Sequence, residues 1–373
     1  MTVALLRHER NLRWELVEAI PSSVAATTVE MPVGSDIRSF LHRIDVRSLV
    51  RMRSQREIPI RHRVAAAQLR MSGTQVILAT DRNIEFLNSL AELCPEVHQI
   101  VVGHGVLVPK LQARLSRTRS YANRSFCVWS RREAELTKYY APKELNLVEL
   151  GSLRNAFYVS SLTSPYKTET DPVSQICLVS SFIGKAKENQ RRSRTDERWE
   201  LREFLLECVR RLARAWSVPV VVALKPQTMY AYTEGTKQKW SDERNHYEEL
   251  LKGCEIRFTD PINRFATYKV IDDSALAVGL FTGPVVEGFG RGNLAMSVGI
   301  PRADMSWGSL PAPFHLTEIS LVELERQPIS HLAHLREWLN GDSGHHVREF
   351  VLGSATDTSP ILRIQSMIAH RLN

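Results

Sequence analysis

A chain of 373 residues is longer than one ordinary hydrophobic core supports, so its length favours two domains. Its composition, 43% hydrophobic and 24% charged, excludes a low-complexity or fibrous chain. The net charge of +8 lies in residues 1–155, which hold 23 Lys/Arg and 15 Asp/Glu. A positive field of this kind attracts a nucleic acid, an anionic lipid surface or an acidic glycan, unless it is only a solvated surface rich in arginine.

In the first half of the chain, a regular alternation of strand-like and helix-like segments begins near residue 75. Residues 1–70 contain helical stretches, such as 37–56, but no clear alternation of strands and helices. Beyond them, apolar runs suited to buried strands alternate with segments of helical spacing, which indicates a parallel sheet covered on both faces. The predicted strands are 75–80, 98–102, 125–130 and 145–150, and the predicted helices are 83–93 and 131–140.

A polar segment with two prolines, 159–173, is the predicted linker, and the alternation restarts after it. Ser241 is the predicted N-cap of a helix over 242–251, and Pro284 opens a short helix over 284–292. The remaining predicted strands are 175–181, 218–224, 255–258, 276–282 and 294–300, and the remaining helices are 195–216, 262–270, and stretches around 332–339 and 361–371.

This order predicts two Rossmann-like, doubly wound α/β domains that face each other across a cleft. The domains are expected at 1–158 and 174–350, with a separate helical end at 351–373. In such folds ligands bind at the carboxyl ends of the strands. The five cysteines never form a C-x-x-C pair, which argues against a zinc site.

The apolar run 218–224 is far below the roughly 18 residues that span a bilayer, and the N-terminus meets charges after six residues. We therefore expect a cytoplasmic protein, with peripheral contact to the inner membrane as the other option.

Two strand ends of the first half carry polar side chains. Asp81, with Asn83 two residues on, follows the strand 75–80; its carboxylate either faces the crevice or only caps the next helix. Gly103, His104 and Gly105 follow the strand 98–102. The glycines permit close approach of a ligand, and the histidine is suited to hydrogen bonding or proton transfer, although a purely structural turn is equally ordinary.

Two further junctions are weaker. Ser152 and Arg154 follow the strand 145–150 and suit either an anion contact or a turn between domains. Lys225 ends the strand 218–224, where it either meets a phosphate or is a surface lysine.

The strongest junction is Thr282-Gly283. A predicted strand ends there and a helix begins at once, so free N–H groups and the threonine hydroxyl form an anion site. Glu287 lies about one turn further on, where it is placed to bind ribose hydroxyls. The glycines around Arg291 end this helix and do not open one, so they are not a dinucleotide fingerprint.

Three segments, in this order, resemble bacterial surface-carbohydrate and capsule-biosynthesis glycosyltransferases, a GT-B-like group that includes retaining β-Kdo transferases. They are QVILATDRNIEFLNSLAELCPEVHQIVVGHG, FCVWSRREAELTKYY with LVELGSLRNAFY, and ALKPQ with HYEELL and FATYKVIDDSALAVGLFTGPVVEGFGRG. The resemblance covers about two thirds of the chain, 60–300. The family's Asp-Asn is here Asp81-Arg82-Asn83, its Gln-His-Gly is Gly103-His104-Gly105, and its Ser-Thr is Thr282-Gly283.

The resemblance implies a glycosyltransferase that moves a sugar, such as Kdo or another acidic sugar from a CMP donor, onto a bacterial surface polysaccharide or glycolipid. The donor nucleotide is expected on Lys225, Thr282, Gly283, Glu287 and Arg291. Asp81 is the expected nucleophile or base, and His104 assists it. Substrate contacts are expected from Asn83, Gly105, Ser152 and Arg154. By analogy with GT-B proteins, 351–373 is expected to pack back on the N-terminal domain.

No metal and no cofactor are expected, because helix-end N–H groups can stabilise the leaving nucleotide. The expected partners are the nucleotide-sugar donor and an anionic glycan or glycolipid acceptor, without a nucleic acid. Two alternatives stay open: a transferase that moves polyol phosphate from a CDP donor in cell-wall polymer synthesis, and a non-catalytic basic module that binds a glycan or nucleic acid.

Overall fold

The computed structural model describes residues 2–7, 14–30, 57–81, 84–103, 122–140, 145–163, 173–182, 197–224, 234–280, 282–298, 310–353 and 358–372. The chain divides into two compact units. Unit 1 comprises Met1–Phe157 and Asp357–Asn373, and unit 2 comprises Tyr158–Thr356. Each is built on a parallel sheet, so the prediction of two Rossmann-like α/β domains is confirmed.

Unit 1 contains a six-stranded parallel sheet in the order β2-β1-β3-β4-β5-β6. The strand order reverses between β1 and β3, where doubly wound sheets bind their ligands. The strands are β1 (Thr2–Arg7), β2 (Ala25–Glu30), β3 (Thr74–Thr80), β4 (His98–Val102), β5 (Arg124–Val128) and β6 (Leu147–Glu149), and the helices up to the boundary are α1 (Trp14–Glu18), α2 (Ile60–Met71), α3 (Ile84–Leu93), α4 (Arg131–Tyr140) and α5 (Leu153–Ser160).

Two strands of this sheet lie in the part of the sequence that showed no alternation. β1 is central and pairs with both β2 and β3. Val3, Ala4 and Leu5 are buried, and the run is too short to stand out before the charges that follow. The helical stretch expected over 37–56 lies outside the described residues.

Unit 2 contains a five-stranded parallel sheet in the order β11-β10-β7-β8-β9, which reverses between β7 and β10. Its strands are β7 (Ile176–Val179), β8 (Val220–Ala223), β9 (Ile256–Phe258), β10 (Leu276–Gly279) and β11 (Ala295–Ser297), and its helices are α6 (Glu197–Trp216), α7 (Glu234–Leu250), α8 (Ala266–Asp272), α9 (Gly283–Gly290), α10 (Glu318–Arg326), α11 (Pro328–Asn340) and α12 (Asp342–Leu352).

Two predictions for unit 2 were wrong in detail. Helix α7 begins at Glu234, so Ser241 lies inside the helix and is not its N-cap. Strand β10 ends at Gly279, three residues early, so Thr282 is the N-cap of α9 and not part of a strand. The helix α10 went unpredicted, although Thr317 and Ser320 form a capping box at its start.

The last helix, α13 (Ser359–Leu372), belongs to unit 1. Its residues Ile364, Ile368 and Leu372 are buried in one core with Val3 of β1 and Leu78 of β3. The boundary between the two units falls after Phe157, inside α5.

Across the described part of the chain, no helix is both long and apolar enough to cross a membrane. Nor do His, Cys, Asp and Glu side chains gather in threes or more at a potential metal site within those same residues.

Candidate functional site

Asp81 lies at the carboxyl end of β3, beside the point where the sheet of unit 1 reverses. β3 and β4 are in register, with Thr80 opposite Val102, so the two strands end level with each other. The Asp81 side chain is buried, at 1% exposure. A carboxylate in this position supplies negative charge at the edge of the sheet where ligands of this fold class bind.

Gly103 follows β4 and brings two strand ends into close contact. Its N–H donates to the carbonyl oxygen of Cys127 at 2.8 Å. A Cβ atom at this position would lie 3.0 Å from that same oxygen, so a larger residue here would fit only if the end of β5 shifted. The remaining predicted residues of this edge, Asn83, His104 and Gly105, lie outside the described residues.

A second acidic side chain at this edge, Glu133, was not among the predicted site residues. It lies in the first turn of α4, which follows β5, and it is buried. Its Oε2 accepts a hydrogen bond from the Trp129 N–H, and its own N–H donates to Ser130 Oγ at 3.2 Å. In the sequence, Ser130 and Glu133 have the spacing of a capping box directly after a predicted strand. This spacing predicts a helix start, but it does not predict that Glu133 is buried near Asp81.

The surroundings of Glu133 favour its protonated form. Burial is the main cause that raises the pKa of Glu133 to about 8; the hydrogen bond from the Trp129 N–H opposes it, and the charge of Asp81 adds a smaller rise. The edge therefore presents two buried carboxyl groups whose ionisation is linked.

Ser152 and Arg154, predicted as substrate contacts, lie at the start of α5. Ser152 Oγ accepts from the Asn155 N–H at 3.2 Å, which caps the helix. Arg154 forms an ion pair with Glu15 of α1 at 3.0 Å. These contacts explain both residues structurally, and their role toward a substrate stays a prediction.

Thr282 and Gly283 lie in unit 2, after β10 and next to the reversal of its sheet. Thr282 has the extended backbone of an N-cap residue, and its buried Oγ1 makes no hydrogen bond to the described residues. Pro284 has no N–H, and the Val285 N–H donates to the Thr282 carbonyl oxygen at 3.1 Å. The donors that this helix end offers to an anion are therefore the Thr282 hydroxyl and the Gly283 N–H, together with the helix dipole.

Glu287 is buried within α9, one turn from this end. Its Oε2 accepts a hydrogen bond from the Tyr268 hydroxyl at 2.8 Å. The Tyr268 ring in turn stacks on Tyr158, with centroids 5.1 Å apart. The contact with Tyr268 fixes the carboxylate on the inner side of α9, and ribose binding by Glu287 stays a prediction.

Arg291 is fully buried after the end of α9. It donates to Asp272 Oδ1 at 2.6 and 3.1 Å, and its guanidinium lies 5.0 Å from the ring centroid of Tyr158. Asn293 and the Tyr158 hydroxyl also donate to Asp272. These contacts give Arg291 a structural role inside unit 2, and its contact with the donor stays a prediction. Lys225 lies outside the described residues.

A cavity of about 580 Å³ opens at the carboxyl ends of β8 and β9. Trp240 and Phe258 supply aromatic walls, and the Arg244 guanidinium lies 5.0 Å from the Phe258 ring centroid. Asn245 and Asp260 add hydrogen-bonding groups. Aromatic surface beside a few polar groups suits a planar, polar ligand.

No protein-family model and no curated protein matches the sequence. Solved structures do match the fold over nearly the full length. A glycosyltransferase from Rickettsia africae ESF-5 has 12% identity and a TM-score of 0.52, covering 100% of this chain and 98% of that one. A proposed UDP-N-acetylglucosamine 2-epimerase from Listeria monocytogenes has 13% identity and a TM-score of 0.55, covering 100% and 96%.

The UDP-GlcNAc 2-epimerase of Methanocaldococcus jannaschii, solved with UDP-GlcNAc and UDP, has 10% identity and a TM-score of 0.52, covering 98% of this chain and 100% of that one. At such identities these likenesses establish the fold alone. It is the GT-B fold, which glycosyltransferases and UDP-sugar epimerases share.

Proposed function

We propose that the protein is a glycosyltransferase that takes a sugar from a nucleotide donor held by unit 2. The observation that carries this proposal is the start of α9 at the strand-order reversal. There Thr282 offers a hydroxyl that the described residues leave unbonded, at the positive end of a helix. A helix N-terminus at this point of a doubly wound sheet favours a phosphate group. The aromatic cavity in the same unit supports a nucleotide as the carrier of that phosphate.

The chemistry assigned to unit 2 is binding of the donor and stabilisation of its leaving group. As the bond between sugar and phosphate breaks, negative charge grows on the nucleotide, and the Thr282 hydroxyl and the end of α9 stabilise it. The proposal includes no metal and no cofactor.

The chemistry assigned to unit 1 is acceptor binding and catalysis at the anomeric carbon. Asp81 is the proposed carboxylate. It acts as nucleophile if the configuration of the sugar is retained, and as base toward the acceptor hydroxyl if it is inverted. His104 is proposed to assist by hydrogen bonding or proton transfer.

For the substrates we propose a CMP-activated acidic sugar such as Kdo, and an anionic bacterial polysaccharide or glycolipid as acceptor. The excess positive charge of residues 1–155 supports an anionic acceptor, or an anionic membrane surface near it. A transferase using a CDP-polyol donor is the related alternative.

A nucleotide-sugar epimerase is a second candidate from a different class of enzyme. The two UDP-sugar epimerase structures share the fold as well as the glycosyltransferase does, with TM-scores of 0.55 and 0.52. An epimerase changes its nucleotide sugar without an acceptor, whereas a transferase needs one.

A thermal-shift screen with CMP, CDP, UDP and GDP tests the proposal, because a ligand that binds only the folded protein raises its stability. A shift with CMP supports the acidic-sugar transferase, and a shift with CDP alone supports the polyol transferase. A shift with UDP or GDP alone would contradict a cytidine donor. Change of the matching nucleotide sugar without an acceptor would then identify the epimerase, whereas turnover only with an acceptor would identify a transferase. No shift with any nucleotide would contradict all three and favour the non-catalytic basic module.

A further inference from the structure

Two buried carboxyl groups, those of Asp81 and Glu133, lie near the carboxyl ends of the neighbouring strands β3, β4 and β5. Asp81 follows β3 and Gly103 follows β4, directly after the paired residues Thr80 and Val102. A Cβ atom built on Gly103 would lie 3.9 Å from Oε1 of Glu133. The Glu133 carboxyl group therefore lies over the end of β4, the strand that neighbours the one before Asp81.

The two oxygens of Glu133 have different surroundings. Oε2 accepts the hydrogen bond from the Trp129 N–H and so completes the start of α4. Oε1 is the oxygen nearest to Gly103. A helix cap needs one acceptor oxygen, so capping accounts for Oε2 but not for the placement of a second carboxyl group beside Asp81.

Two negative charges at adjacent buried positions repel each other strongly, and one retained proton removes that repulsion. We propose that Asp81 and Glu133 form a carboxyl pair that carries one proton at neutral pH, held on Glu133. The use of the Asp81 carboxylate on a sugar rests on the proposed function, whereas the protonation of the pair does not.

Two arginines lie next to Glu133 in the sequence. On α4, Arg131 is exposed and pairs with Glu135 at 3.6 Å, and burial lowers the pKa of Arg132. His104, which follows β4, lies outside the described residues. The pKa of Glu133, raised to about 8 mainly by burial, with a smaller rise from the charge of Asp81, agrees with a proton held on this residue.

The test is the pH dependence of unfolding by denaturant for the wild type, Glu133→Gln, Asp81→Asn and the double variant, between pH 5 and 9.5. A raised pKa in the folded state means that the wild type loses stability as the pH rises from 4.5 through 8. Gln keeps an oxygen for the Trp129 N–H but cannot ionise. The difference in the free energy of unfolding between Glu133→Gln and the wild type should therefore shift in favour of the variant as the pH rises, and it should become constant above about pH 8.

In the Asp81→Asn background the same difference should become constant at a lower pH, because the neighbouring charge is gone. Glu135→Gln, on the exposed side of the same helix, is the control and should show no such pH dependence. A pH-independent difference between Glu133→Gln and the wild type would overturn the pair, and so would a midpoint that Asp81→Asn does not move. Failure of the nucleotide screen is a separate outcome, which would contradict the proposed function and leave this titration unchanged.

Discussion

At the scale of single residues, buried titratable side chains make the stability of unit 1 depend on pH. His98 begins β4, and its Nε2 lies 3.1 Å from Ser125 Oγ. Burial, with a smaller effect of Arg371, lowers the pKa of His98 to about 4. His62, on α2, lies 2.9 Å from Ser89 Oγ, and burial lowers its pKa to about 4 as well. Both histidines are therefore neutral in the folded protein at neutral pH.

We predict that His98→Gln makes the protein less sensitive to acid. A histidine whose pKa falls on folding contributes stability above pH 6.5, and that contribution is lost as the pH falls toward 4. Gln can keep a hydrogen bond to Ser125 but cannot ionise. Denaturant unfolding at pH 7, 5.5 and 4 should show that the variant loses less stability than the wild type. Parallel losses in the two proteins would show that His98 does not titrate in this way.

Residue identities of the candidate site were only partly predictable. Asp81 follows an apolar run that is readable as a strand, so its place at the end of β3 follows from sequence. Thr282 was predicted as the last residue of such a run, but β10 ends three residues before it. Glu133 looks like an ordinary helix-cap residue, because its burial beside Asp81 depends on the pairing of β3, β4 and β5. The burial of Arg291 also depends on tertiary contacts, since Asp272 and Tyr158 come from separate helices.

At the scale of elements, glycines allow α9 to pack closely against the neighbouring helix and strand. A Cβ atom on Gly288 would lie 2.6 Å from Cγ2 of Ile271 on α8, and one on Gly279 would lie 2.8 Å from Cγ2 of Val285. Such approaches leave no room for a methyl group. The position of the helix end that carries Thr282 therefore depends on small residues away from it.

We predict that Gly288→Ala destabilises unit 2 by about 1–3 kcal/mol, through overpacking against Ile271. Ile271→Ala in the same chain should cancel part of the added cost, because the two side chains share the space. Gly341→Ala is the control, since its Cβ would meet its nearest neighbour at 3.4 Å. Equal denaturation midpoints for Gly288→Ala and Gly341→Ala would contradict this account of the packing.

Most strands and helices from residue 75 onward were predictable, because their apolar periodicity is strong. β4 and α4 fall at the predicted bounds. β2 was not predictable, since AATTVE is short and half polar, and it is held in place by pairing with β1. The early start of α7 is also not visible, because residues 234–241 lack an apolar stripe.

At the scale of the whole molecule, both ends of the chain belong to unit 1. Unit 2 is one continuous stretch, Tyr158–Thr356, whereas unit 1 needs Asp357–Asn373 to complete its core. Ile364 and Ile368 of α13 are fully buried there, while Leu362 on the same helix is 64% exposed. Unit 1 thus reaches its full core only when the end of the chain is present.

We predict that Ile364→Ala lowers the stability of unit 1 by about 2–5 kcal/mol, the usual cost of truncating a buried isoleucine. Leu362→Ala, its matched control, should stay within about 0.5 kcal/mol of the wild type. Denaturant unfolding followed by circular dichroism measures both. Similar effects of the two substitutions would mean that α13 does not bury this face in solution.

The central claim, an anion site for a nucleotide phosphate at Thr282, is tested most directly by two substitutions that differ in charge alone. Asp and Asn are both strong N-cap residues, so Thr282→Asp and Thr282→Asn should both preserve α9. Binding of the nucleotide that gives the largest thermal shift is measured by titration calorimetry on both variants. We predict that Thr282→Asn binds within about tenfold of the wild type, whereas Thr282→Asp loses at least a further tenfold, about 1.4 kcal/mol. Equal affinities of the two variants would contradict a phosphate at this helix end.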